Sequence, residues 1–291
     1  MNQPVTDLPV IDSHTHLFPP EVAGNRNRYA ELDSWFFELY GLHDGGLVTP
    51  EEMLASMDAA GVERSVVCAW PWKDQGLCRE HNDFLAELVN TYPDRFSWLG
   101  IVNPVEHGAA AEVGRCALLG ACGIGELNAD AQGFCWSDAR IGEETMGAAV
   151  QLNMPVLIHC SEPVGHSYPG KGTATPDKLL PFIAANSELR IVAAHWGGGL
   201  PFYELMPEVA QACRNVFYDS AASRYLYQWN VFSAVERIVG CKRILFGTDY
   251  PLLKQSNFLK RTLEAGISQE GLPSVLSENA AAVFGLTMKE V

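Results

Sequence analysis

The run Val10-Ile11-Asp12-Ser13-His14-Thr15-His16-Leu17 decides how this chain is read. An apolar entry leads into two histidines two residues apart. On an extended backbone such side chains share a face, so His14 and His16 converge on one point. Two imidazoles at the end of a strand make half of a first-row metal site. An exposed polar strand end has the same local sequence. What separates the two is whether further ligands arrive on other strand ends.

Outward from this run, apolar β-rich stretches alternate with amphipathic ones along the whole chain. Strands are expected near 10–14, 64–70, 95–102, 122–127, 155–160, 189–195, 216–220 and 243–249, each followed by a helical stretch. Eight β–α units in 291 residues predict a closed parallel (β/α)8 TIM barrel, with 1–291 as a single domain. The apolar run Ile191-Val192-Ala193-Ala194 suits a strand buried on both faces. A doubly wound nucleotide-binding fold would place a glycine-rich phosphate loop after the first strand, where this chain has His14-Thr15-His16-Leu17-Phe18.

The segment 17–48 reads as irregular, is too long for an ordinary connection, and so reads as a lid or insertion after the first strand. It holds Pro19-Pro20, Trp35-Phe36-Phe37 and Gly45-Gly46. Thr49-Pro50-Glu51-Glu52 then reads as a capped helix start. Two short helical pieces, 270–276 and 278–285, end the chain, with Ser277 or Asn279 as the cap of the second.

Composition narrows the partners. With 20 basic against 35 acidic residues the formal charge is −15, and no basic run interrupts the sequence, which argues against a nucleic-acid backbone. Eight cysteines occur without a CxxC pair, and no secretory leader is visible in Met1 to Pro9, so a reducing cytoplasm is the expectation. No window reaches 18 consecutive apolar residues, so a membrane span is not expected. The partner implied is a small molecule. A homodimer is a further expectation, with Trp35-Phe36-Phe37 as a contact.

Metal-competent residues fall where the strands end. His14 and His16 close the first strand, Glu126 the fourth, His159 the fifth, His195 the sixth and Asp249 the eighth. In a barrel these ends surround one cavity, and active sites are built there. His14, His16, His159 and Asp249 suffice for a zinc-like divalent ion, whose bound water becomes a nucleophile near neutral pH. Asp249 is either a further ligand or the group that takes the proton from that water. His195 is a ligand of a second ion or a free imidazole that steadies developing negative charge. Glu126 either bridges two ions, which favours hydrolysis, or joins a hydrogen-bond network beside a single ion.

From Asp12-Ser13-His14-Thr15-His16 to Asn279-Ala280-Ala281-Ala282-Val283-Phe284-Gly285, the chain resembles the metal-dependent hydrolases of the amidohydrolase superfamily, in particular the amidohydrolase-2 branch. Its histidine pair matches His14 and His16. The later ligands match His159 in Leu157-Ile158-His159-Cys160, His195 in His195-Trp196-Gly197-Gly198-Gly199 and Asp249 in Phe246-Gly247-Thr248-Asp249-Tyr250-Pro251. The resemblance implies a (β/α)8 barrel and a divalent metal, most often zinc, as one ion, or two if Glu126 bridges. No organic cofactor is implied. It also implies hydrolysis of an amide, lactone or ester bond in a small carboxylated or cyclic metabolite. Some relatives instead decarboxylate aromatic or unsaturated acids, and others hydrate a double bond. No lysine stands at the fourth strand end, and His14 stands where decarboxylating relatives often carry an acid. Both features favour the hydrolase reading, with a non-oxidative decarboxylase as the alternative. A non-catalytic metabolite-binding barrel would not require six such residues.

Around the metal, Trp70 and Trp72 after the second strand and Trp196 after the sixth offer flat surfaces for a ring or a planar acid. His166, in the glycine-rich loop that also carries Lys171, and Arg224 after the seventh strand are candidates to meet a substrate carboxylate. Asp219 and Asp12 are candidate braces for the ligands.

Overall fold

The computed structural model describes residues 5–42 and 46–287. The first four residues of the expected leader-free start, and Gly45 of the insertion, lie outside the described residues. Eight parallel strands follow one another around a single sheet in chain order. They are β1 (Ile11–His16), β2 (Arg64–Cys68), β3 (Phe96–Gly100), β4 (Gly123–Leu127), β5 (Val156–Ile158), β6 (Ile191–Ala193), β7 (Val216–Asp219) and β8 (Ile244–Leu245). The sheet closes on itself where Ser13 N–H donates to the Phe246 carbonyl (2.8 Å), Asp249 N–H to His14 (2.9 Å) and His16 N–H to Tyr250 (2.7 Å). The TIM barrel expected from eight β–α units is the fold observed.

Strand alternation sorts side chains into two layers. Ile11, Val66, Leu99, Leu157, Val192 and Leu245 form one apolar cluster, which also takes in Ala280, Val283 and Phe284 of the last helix, Asn279–Phe284. The larger cluster, with Val67, Trp98, Ile124, Val156 and Phe246, packs against the surrounding helices. Burying apolar surface on both faces of each strand is worth about 25 cal/mol per Å², which explains why these strands need no polar alternation.

Three local readings needed revision. The segment after β1 is helical: Pro20–Gly24, Arg26–Leu32 and Ser34–Phe36, the last running into a π-turn, Phe37–Gly41. Asp33 caps it by accepting from Phe36 N–H at 2.7 Å. The eighth strand is shorter than expected because Phe246 leaves the ladder to bond the Val275 carbonyl (3.0 Å), and Asp249 takes a left-handed backbone (φ 63°). Neither Ser277 nor Asn279 caps a helix. The π-turn Ser274–Glu278 runs straight into Asn279, whose amide instead donates to the carbonyls of Cys241 (2.8 Å) and Ile244 (2.7 Å). Thr49 does cap Pro50–Ala60, through the reciprocal Thr49–Glu52 pair.

On the flank of the barrel, Glu112 is buried between two helices and the end of β3. It accepts from Asn82 (2.8 Å) and from Arg115 Nε (2.8 Å) and Nη2 (2.6 Å). Burial pushes its carboxyl up, but the hydrogen bonds from Arg115 and Asn82 outweigh this and hold it below the ordinary glutamate range. Glu112→Gln is therefore expected to cost about 1–3 kcal/mol at neutral pH. A depressed folded-state pKa contributes stability above the unfolded value and loses it as pH falls through the folded one. The gap between wild type and variant in urea midpoint should accordingly narrow in acid; a gap independent of pH would refute the assignment.

Among the described residues, no helix is long and apolar enough to cross a membrane.

Candidate metal centre

At the carboxyl ends of β1, β4, β5, β6 and β8, six side chains meet. His14 and His16 point the same way, as their spacing requires, and their Nε2 atoms lie 3.1 Å apart. Glu126 Oε2 stands 3.5 Å from His14 Nε2 and 3.7 Å from His16 Nε2. Asp249 Oδ1 stands 3.9 and 3.3 Å from the same two atoms. Ligand bonds of about 2.0–2.2 Å place neighbouring donors about 3–3.5 Å apart, so His14, His16 and Asp249 are grouped as one cation's shell would need, and Glu126 Oε2 is close enough to both histidines to join them. The other oxygen of Glu126 faces the remaining histidines. Oε1 is 2.9 Å from His159 Nδ1 and 3.4 Å from His195 Nε2, and those two nitrogens are 3.3 Å apart. His159, expected beside the first pair, thus groups with Glu126 and His195, while His14, His16 and Asp249 form the other set.

The donor set fits a divalent cation. His14 Nδ1 donates to Asp219 Oδ2 at 2.8 Å, which leaves its Nε2 lone pair aimed at His16, Glu126 and Asp249. Burial opposes a charge on His14, yet Asp219 and Glu126 beside it hold its pKa well above the usual histidine value. Burial likewise opposes ionisation of Glu126, but His14 and His159 keep it well below the usual range. Asp249 behaves in the same way: burial raises it, and the bond with His16 and the charges of His14, His16 and His195 bring it down to about 2. The cluster therefore wants positive charge, supplied either by protons on its imidazoles or by a metal that displaces them.

Neighbouring groups fix these positions. Asp219, at the end of β7, orients the His14 ring with one oxygen and with the other accepts from His195 N–H (2.9 Å) and Ala221 N–H (3.0 Å). That clamp holds His195 in a left-handed conformation (φ 57°) sparsely populated by non-glycine residues. Beyond it, Gly198 passes so close to Ser161 that a Cβ would run into the Ser161 carbonyl. Asp12 accepts from Thr248 N–H (2.9 Å), Thr248 Oγ1 (2.6 Å) and Gln255 Nε2 (2.8 Å), which sets the residue before Asp249. Burial pushes the Asp12 carboxyl up to about 6, and those bonds restrain the rise.

Above the cluster opens a cavity of about 440 Å³ whose floor includes His16, Glu126, His159, His195 and Asp249. Five aromatic rings, those of Trp35, Tyr40, Trp70, Tyr168 and Tyr225, stand in its walls among leucines and prolines. Burial, with Asp249 and Glu126 nearby, pushes the Tyr40 phenol up, so it stays a neutral donor. Of the expected contact residues, Trp70 and His166 line this space. Trp72 does not; it is buried, stacks on Phe36 (5.4 Å between ring centres) and donates to His81 Nδ1 (3.1 Å). Trp196 is buried behind the wall, donating to Ser223 Oγ (2.7 Å) and meeting Phe232 edge-on. Arg224 opens onto a separate groove. Lys171 ties down its own loop through the carbonyls of Val164 (2.9 Å) and His166 (3.0 Å). Tyr40, Tyr168 and Tyr225 escaped the sequence reading, and Trp35 was read as a dimer contact. Its neighbour Phe36 is fully buried, and only Phe37 of that run is exposed.

Solved structures extend the picture. The chain superposes on 5-carboxyvanillate decarboxylase LigW from Sphingomonas paucimobilis with a TM-score of 0.81, at 19% identity, over 97% of this chain and 100% of the other. The enzyme of that name from Novosphingobium aromaticivorans, complexed with manganese and 4-hydroxy-3-methoxy-5-nitrobenzoic acid, gives 0.79 at 19% identity over 98% and 100%. A 2,6-dihydroxybenzoate decarboxylase from Rhizobium gives 0.72 at 19% identity over 96% and 99%. No match was found among curated proteins.

These comparisons correct two expectations. The hydrolase reading falls, because the three similar structures above are decarboxylases, which break a carbon–carbon bond. The absence of a lysine at the fourth strand end and the presence of His14 therefore did not identify the reaction. The expectation of zinc falls with the manganese bound in the relative. Two of the four donors around the first position are carboxylate oxygens, a set that suits manganese, where the sequence reading had three imidazoles and one carboxylate. The model of the amidohydrolase family matches residues 11–286, and with the barrel and the strand-end histidines in place, the chain belongs to that family.

Proposed function

We propose that this protein is a metal-dependent, non-oxidative decarboxylase of an aromatic carboxylic acid. The observation that carries this reading is a ring-sized cavity with aromatic walls standing directly over a cluster of metal-competent donors. The decarboxylases of the same fold support it, one of them complexed with manganese and a substituted benzoic acid.

His14, His16, Glu126 and Asp249 are the residues we assign to a divalent ion, manganese by analogy with that relative. When bound, the ion supplies positive charge that holds the substrate carboxylate and spreads the charge developing on the ring. The remaining work falls to the chain itself. Trp70 and Tyr40, packed 5.2 Å apart edge to face, form part of the slot that orients the ring. The aromatic walls exclude water, which strengthens every charge interaction inside. The bond between ring carbon and carboxylate carbon breaks, carbon dioxide leaves, and the electron pair left on the ring carbon takes up a proton. His195 is the group we assign to deliver that proton. Its Nδ1–H donates to the Ala221 carbonyl (3.2 Å), so Nε2 faces the cavity side. Burial lowers its pKa, but before any ion binds the hydrogen bond and charge of Glu126, with Asp249 and Asp219, raise it to about 9, which favours the protonated ring. With all eight cysteines free, we place the enzyme, acting on a small molecule, in the cytoplasm.

The test is incubation of manganese-loaded protein with a panel of hydroxylated benzoates in deuterated water. Expected are carbon dioxide and a ring product carrying one deuterium at the vacated carbon. Absence of carbon dioxide release across the panel would overturn the reading.

A further inference from the structure

Lysines and arginines gather just outside the cavity. Among the described residues, none that lines the cavity is a lysine or an arginine. A second groove, of about 770 Å³, shares Tyr225 and Leu252 with the cavity and carries Arg224, Lys254, Lys260 and Arg261. The sequence shows no basic run here; the loop after β7 and the helix Gln255–Leu263 bring these residues together. All four are exposed. Arg261 pairs with Glu264 (3.0 Å) and lies over the Trp229 ring (5.7 Å). Among the described residues, Arg224, Lys254 and Lys260 join no ion pair, so their field is not cancelled by a fixed partner.

The rest of the molecule makes this placement consequential. A chain of net charge −15 repels an approaching carboxylate at long range, before the ion assigned to the cavity floor can attract it. A patch of like-signed charge beside the mouth reverses the potential locally and raises the encounter rate for an oppositely charged ligand. Tyr225 and Leu252, about half exposed at 52% and 54%, form the shared wall over which a flat apolar ring can pass from one space to the other.

We propose that this groove is the entry site for the carboxylate substrate: it captures the anion and hands it across Tyr225 and Leu252 into the cavity. The proposal rests on the aromatic-acid reading above. It also gives Arg224 a role at the entrance in place of the one expected at the reacting carboxylate.

The experiment is stopped-flow association of 4-hydroxy-3-methoxy-5-nitrobenzoate with the manganese-loaded protein, comparing wild type with Arg224→Gln/Lys254→Gln/Lys260→Gln. At about 10 mM ionic strength the triple variant is expected to associate about tenfold more slowly. The two rates should converge near about 0.5 M salt, where the screening length falls to a few ångströms. A charge-conserving variant, Arg224→Lys/Lys254→Arg/Lys260→Arg, should keep the wild-type rate, which separates charge from folding or packing damage. Equal association rates and equal salt slopes in wild type and the glutamine variant would sink the groove while leaving the decarboxylase reading intact. Failure of the probe to bind either protein would sink both.

Discussion

Replacing His14 and His16 together by alanine is expected to reduce bound manganese to trace levels and decarboxylation by at least about a thousandfold. The two Nε2 atoms form one edge of the donor set, and no other described histidine approaches Asp249 Oδ1 as closely as His16. The barrel should survive, because the buried apolar layers on either face of the strands are untouched. A proton competes for the same lone pairs: His14 is held well above the ordinary histidine value by Asp219 and Glu126 against the effect of burial. Metal affinity should therefore fall steadily as pH is lowered through and below neutrality. Elemental analysis of wild type and double variant, with circular dichroism as a control for folding, decides the matter. A double variant that folds and retains its full metal content would remove the ion from this position.

The second large effect is expected at His195. His195→Asn should lower the turnover number by about 10²–10⁴ while leaving manganese content unchanged. Asparagine is chosen because it tolerates the left-handed backbone that His195 occupies (φ 57°), so the turn after β6 is kept. The loss reflects the missing proton at Nε2, and the deuterium solvent isotope effect should change with it. Loss of metal in parallel with activity would make His195 a ligand instead, as its position 3.4 Å from Glu126 Oε1 allows. Unchanged turnover would leave the ring carbon's proton without a source.

Much of the barrel and its floor was legible because both follow from short-range rules. Period-two alternation on a strand puts His14 and His16 on one face, and a closed parallel sheet brings every strand end to the same mouth. The walls were not legible for the opposite reason. Trp35 and Tyr40 reach the cavity through short helices and a π-turn inside a segment that carries no strong periodicity. Trp72 and Trp196 looked equivalent to Trp70 in the sequence, yet hydrogen bonds to His81 and Ser223 draw them into the packing. The reaction itself was misjudged because it depends on these walls, whereas the sequence motifs report only the ligands. Asp219 was visible as a brace but not as a double one, since its contact to the backbone of His195 depends on a turn that residue propensities do not favour.

The helices that follow β1 supply Trp35, Leu39 and Tyr40 to the substrate wall and none of the six metal-competent donors. One part of the cavity wall is thus carried on a piece of polypeptide separate from the donors. Exchanging that one segment for another of matching length is a direct way to retarget the enzyme towards different rings, with the reacting centre inherited intact.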